Sequence, residues 1–199
     1  MKNHYFIQSI KVLAISLLII IGVNVVSNFF YHRFDLTEEK RYTLTTSTKK
    51  LLNGLDNKIE VEVYLTGKDL PAGVRILQNE TREMLQEFRN NSKGLVTFHF
   101  FDYNSIKNQK QREEFQMGLV KKGLRPTNLE VKSNSGYSEK LVFPGAVIKS
   151  NGREIPIQIL ENQFSVGAQG SLNNSISFLE YKLANSIDKI IRAHPRSEE

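Results

Sequence analysis

The chain has 199 residues, no cysteine, a net charge of +6 and 40% hydrophobic residues. That length holds one folded domain with at most a small appendage, and the missing thiols exclude disulfides, iron–sulfur clusters, thiolate-bound zinc and thiol nucleophiles. Basic residues never run longer than a pair, as at Lys49-Lys50 and Lys121-Lys122, so the clustered patch that nucleic-acid binding requires is absent from the sequence.

From Val12 to Phe30 the chain reads VLAISLLIIIGVNVVSNFF, nineteen residues without a charge. A helix needs about 20 mostly apolar residues to cross a bilayer core. A cleaved signal peptide would share the basic start at Lys2 and Lys11, but with a shorter apolar core and a small-residue cleavage site. Val25-Val26-Ser27 matches such a site only weakly. A buried core helix would carry a polar face, and here almost no polar residue stands beyond Ser16, Asn24 and Ser27. Phe29 to His32, followed by Arg33, read as an interfacial belt with a flanking charge. The expectation is a retained transmembrane helix over residues 12–31, behind a cytoplasmic tail over residues 1–11. Lys2 and Lys11 on one side, with Arg33, Lys40 and Arg41 on the other, leave the positive-inside count undecided. A short tail before the first apolar run is the pattern of a signal anchor, which places the large domain outside the cytoplasm.

Residues 32–57 form a polar, aromatic-punctuated neck and one short helix. Thr45 to Thr48 offer N-cap hydroxyls, and Leu51, Leu52 and Leu55 follow at helical spacing, broken by Gly54. Residues 58–192 then read as an α/β domain, with a tail over residues 193–199. Ile59 to Leu65 alternates apolar and polar residues with period two, the mark of a half-buried strand. Leu77, Met84, Leu85 and Phe88 fall on one face of a helix over residues 74–91. Leu95 to Phe101 is a second strand. A helix over residues 109–122 turns Phe115, Leu119 and Val120 inward and ends at Gly123. Residues 129–132 are a short strand, 133–138 a polar loop, and 140–149 a longer strand interrupted by Pro144-Gly145. Asn151-Gly152 is a strong hairpin signal joining that strand to residues 154–159. Ser171 caps a long helix to Ile191, with Ile176, Leu179, Leu183, Ile187 and Ile190 on one face.

The core order is β-α-β-α-β-β-α. Crossover helices make the first two strands parallel, and the hairpin adds an antiparallel edge. This is similar to the thioredoxin-like topology, and Pro144 precedes the third core strand, where that fold often keeps a cis proline. Redox activity is excluded because Thr66 to Pro71 hold no cysteine pair.

No catalytic, cofactor-binding or metal-binding residue is assigned, and no cofactor is expected. His4, His32, His99 and His194 lack a second histidine or a carboxylate at ligand spacing, and His99 reads as a structural strand residue. Asp102 follows the second strand, where open α/β sheets bind ligands, but an aspartate there more simply caps a turn. Glu80, Glu83 and Glu87 form a solvated helix face within reach of Arg82 and Lys93. Gly167 to Ser171 lacks the lysine of a phosphate loop, and no serine nucleophile elbow is present. An enzyme is not expected.

Several strings carry a resemblance. They are Arg33-Phe34-Asp35-Leu36-Thr37, Lys40-Arg41-Tyr42-Thr43-Leu44, Leu70-Pro71-Ala72-Gly73 and Leu179-Glu180-Tyr181-Lys182-Leu183-Ala184. With the apolar run ahead of them, the chain resembles the N-terminal portion of the GldG family, gliding-motility auxiliary components of bacterial ABC transporters. The resemblance implies an inner-membrane protein with a periplasmic domain, working through protein contacts beside a permease and an ATPase subunit. Homo-oligomers are compatible with it. Members of that family are longer, with a further α/β domain and more membrane attachment. The alternative is a periplasmic small-ligand-binding component of the same transporter, with its site at the strand ends near Gly67, Asp102 and Pro144.

Overall fold

The computed structural model describes residues 11, 13–22, 43–67, 70–133, 136–161 and 167–192. The chain divides into two compact units, Met1–Lys40 and Arg41–Glu199. In the first, residues 13–22 are α-helical. Residues 12 and 23–31 of the predicted transmembrane helix lie outside the described residues. Among those described, no helix is long and apolar enough to cross a membrane.

The second unit begins with α1 (Thr46–Asn53), capped by Thr45, whose hydroxyl accepts the Thr48 N–H at 3.3 Å. Then follow β1 (Ile59–Val63), α2 (Ala72–Asn91), β2 (Val96–Phe100), a 3-10 turn (Tyr103–Ser105), α3 (Gln109–Lys122), β3 (Thr127–Ser133) and β4 (Gly136–Val142). The chain continues with β5 (Gly145–Ser150), β6 (Arg153–Gln158), α4 (Gly167–Ser177) and α5 (Leu179–Arg192). Four strands form a mixed sheet in the order β2-β1-β5-β6. β1 and β2 are parallel, whereas β1–β5 and β5–β6 are antiparallel.

Alternation along the strands sorts the side chains onto two faces. Ile59, Val61 and Val63 meet Leu77, Leu85 and Phe88 of α2 and Leu183, Ile187 and Ile190 of α5 in the main core. Leu44, Leu52 and Leu55 belong to the same core, so α1 is part of the folded unit. The other face carries a smaller cluster: Tyr64, Tyr103, Leu119, Leu124, Phe143 and Val147. α3 supplies Leu119 to it, while Phe115 is partly buried and Val120 is half exposed.

Four sequence expectations change. The predicted strand over residues 140–149 is two strands in different sheets. Pro144 has no N–H to continue a ladder. The chain turns around it, with the Gly145 N–H bonded to the Phe143 carbonyl at 2.8 Å and the Pro144 carbonyl accepting the Ile159 and Leu160 N–H groups. β4 therefore pairs with β3 in a separate two-stranded sheet, and most of the predicted loop over residues 133–138 is strand. No cis peptide bond occurs among the described residues, so the Phe143–Pro144 bond is trans. Finally, the long C-terminal helix starts at Gly167 and is divided at Phe178. The Ser175 hydroxyl donates to the Ser171 carbonyl at 2.7 Å, a back-bond that bends helices.

Candidate functional site

Three strands bring a charged array onto the α3 face of the sheet. Parallel register sets Glu62 beside His99, and antiparallel register sets Glu60 beside Lys149. His99 Nδ1 lies 3.6 Å from Glu60 and its Nε2 3.5 Å from Glu62. Lys149 Nζ meets Glu62 Oε2 at 2.5 Å. Burial pushes the Glu62 carboxyl upward. The Lys149 hydrogen bond and charge, with the Tyr64 hydroxyl and His99, outweigh it and hold the group below its ordinary range. Lys149 is raised by its bond to Glu62, against a smaller effect of burial. Lys122 and Glu154 continue the pattern at 2.5 Å. Opposite charges thus neutralise one another across the sheet. His99 is half exposed, and no group among the described residues could hold a metal ion.

Two of the three strand-end residues, Asp102 and Pro144, have polar groups engaged internally. The Asp102 carboxylate caps the 3-10 turn by accepting the Asn104 N–H at 3.0 Å, the simpler of its two sequence readings. The Pro144 carbonyl holds the chain after β6. A Cβ on Gly67 would come 3.4 Å from Lys140 Nζ and 3.5 Å from Leu70. Arg82 of α2 lies over the Phe100 ring at 4.1 Å.

Next to Asp102, Tyr103 is fully buried and donates its hydroxyl to the Leu141 carbonyl at 2.8 Å, which ties the β3–β4 hairpin to the sheet. Burial, aided by the Asp102 charge, pushes this hydroxyl up from 10 to about 12. Folded protein keeps a proton there that unfolded chain releases. The contribution is complete below pH 10 and is lost as pH rises toward 12. Tyr103→Phe is expected to cost about 1 kcal/mol at neutral pH and to flatten part of the alkaline fall in stability. Burial and Glu62 also raise Tyr64, which supplies another part of that fall. Urea unfolding at pH 8 to 12 checks both effects.

A second feature forms no part of the expectations drawn from the sequence. A groove of about 680 Å³ runs between α1 and α5, lined by Lys50, Leu51, Tyr181, Ala184, Asp188 and Arg192 among others. Glu180 closes one end: its Oε1 accepts both the backbone N–H and the hydroxyl of Thr45 at 2.8 Å. Arg192 pairs with Asp188 at 2.7 Å. Tyr181 stands 66% exposed. This lining mixes apolar, uncharged polar and charged side chains, a mixture found where protein surfaces meet. The sequence signal was Leu179 to Ala184, an amphipathic stretch whose Glu180 and Tyr181 fall off the core face.

Comparison with curated proteins and with solved structures gives no match to this chain. A family model does match, over residues 38–149, from before α1 to near the end of β5. That stretch includes Glu60, Glu62, His99 and Lys149, while β6 and the α5 wall of the groove lie beyond it. It covers more than half of the chain, which therefore belongs to the family described as a domain of unknown function, DUF7088.

Proposed function

We propose that this protein is a non-catalytic, membrane-anchored auxiliary subunit of an ABC transporter complex linked to bacterial gliding motility. It acts through protein contacts of a periplasmic domain and sits in the inner membrane by a single pass in this chain. The reading rests on the resemblance carried by Arg33 to Thr37, Lys40 to Leu44 and Leu179 to Ala184. We further propose a thioredoxin-like arrangement for residues 58–192. The sheet order β2-β1-β5-β6, with the first pair parallel and the others antiparallel, supports it. With no cysteine in the chain, such a domain serves as a platform.

One observation carries the membrane part. Seven apolar residues between Leu13 and Ile21 point in all directions around their helical turns, and each is at least 55% exposed. A helix that is apolar all round belongs in an apolar surrounding, and the uncharged sequence continues to Phe30. The groove between α1 and α5 offers the contact surface.

Tagged protein captured from native membranes is expected to bring down a permease and an ATPase subunit. Identification of the captured proteins by mass spectrometry reads this out. Recovery of neither subunit would overturn the transporter reading.

A further inference from the structure

The four-stranded sheet has two edges, and among the described residues only one carries a proline or a lysine that blunts it. The Tyr64 N–H bonds to the Gly145 carbonyl, so Gly145, Val147 and Lys149 turn their backbone groups toward β1. Ala146, Ile148 and Ser150 therefore face β6, opposite Ile157, Ile155 and Arg153. Pro156, opposite Val147, has its missing N–H on the outer side. Lys182 Nζ occupies the Gln158 carbonyl nearby at 3.1 Å. A proline and a lysine are two standard means of closing a sheet edge.

β2 carries neither. The Ile59 N–H bonds to the Leu95 carbonyl and the Phe101 N–H to the Val63 carbonyl. Residues 95, 97, 99 and 101 thus face β1, and the backbone groups of Val96, Phe98 and Phe100 point outward. The Ser92 hydroxyl accepts the Val96 N–H at 3.0 Å. Among the described residues, no strand pairs with this side of β2. Its sequence, Val-Thr-Phe-His-Phe, has no proline, glycine, lysine or carboxylate to discourage pairing.

We infer that β2 pairs antiparallel with β2 of a second copy, about a two-fold axis through Phe98. In that register outward backbone meets outward backbone, because Phe98 faces Phe98 and Val96 faces Phe100. The central pair exchanges two hydrogen bonds, and each Phe100 N–H reaches a free Val96 carbonyl. On the core face, aromatic and β-branched side chains stand opposite one another, and on the polar face Thr97 stands opposite His99. Such cross-strand pairs are favourable, and no like charges are opposed. Just beyond the strands, Gly94 of one copy comes opposite Asp102 of the other, with exposed Lys93 one residue further along. The contact is isologous and closes on two copies.

The absence of native cysteine gives a direct test. Thr97 and His99 are exposed, and in this register they form a non-hydrogen-bonded pair with Cα atoms about 4.5 Å apart, within disulfide reach. Full-length Thr97→Cys and His99→Cys chains, differently tagged, are co-expressed, solubilised in detergent and mildly oxidised. The expected product is a mixed covalent dimer, lost when either variant is oxidised alone. No mixed dimer, or equal cross-linking in all three samples, would overturn the pairing. A monomeric protein mass for the unmodified chain by light scattering would do the same.

Discussion

Phe88→Ala is expected to cost about 3–5 kcal/mol of stability, the loss seen when a buried aromatic is truncated and its site cannot close. Phe88 is fully buried near the C-terminal end of α2, in the core that α2 and α5 form against the sheet. Leu85 and Val96 of the same core are also fully buried, as expected of a densely packed site with little room for collapse. Urea unfolding should show a lower midpoint with an unchanged slope, which marks a change in stability and not in the exposed area. Ile76→Ala on the same helix is the control. Ile76 is 52% exposed, and its loss should stay within about 0.5 kcal/mol. Equal costs for the two would contradict the assignment of α2's buried face.

The second large effect concerns the apolar run. Leu18→Arg with Ile19→Arg places two charges in the middle of it, each costing about 2.5–3.5 kcal/mol at the centre of an inserted helix. The doubly substituted chain should move from the carbonate-resistant membrane pellet to the soluble fraction. Its far-ultraviolet spectrum should remain that of the folded α/β unit, because the two compact units divide after Lys40. If the variant stayed in the pellet, the run would not be what holds the protein there.

Much of the fold could be read residue by residue, for identifiable reasons. Ile59 to Val63 alternates cleanly because only one of its faces enters the main core. Leu77, Met84, Leu85 and Phe88 announce α2 because a single stripe is buried. Asn151 and Gly152 both adopt positive φ, 48° and 75°, as the tight hairpin turn requires. The element order thus gave a mixed α/β sheet. What remained hidden depends on long-range geometry. The interruption at Pro144-Gly145 is local, but no local pattern shows that residues 136–142 enter a second sheet, since Leu141 to Phe143 and Ala146 to Ile148 both read as strand. Gly145 gives a further reason for the break: a Cβ there would lie 2.7 Å from the Ile157 carbonyl oxygen and 2.5 Å from Leu124, contacts that only the folded chain creates.

The candidate sites were less legible than the fold. Glu60 and Glu62 are two apart in one strand and read as its solvent face. Their meeting with His99 depends on the parallel register, set by the α2 crossover. The groove is more remote still, because Glu180 and Thr45 are 135 residues apart. Composition and periodicity report what a residue does within its own element. Pairings between elements lie outside them, and these sites consist of such pairings.

In this proposal the run from Val12 to Phe30 holds a periplasmic α/β domain at the inner membrane. Cell fractionation with added protease tests it most directly. The protein should pellet with inner membranes, and the chain from Leu36 onward should be cut when protease is admitted to the periplasm but not in intact cells. Recovery of a soluble, processed chain beginning near Asn28 would contradict the claim.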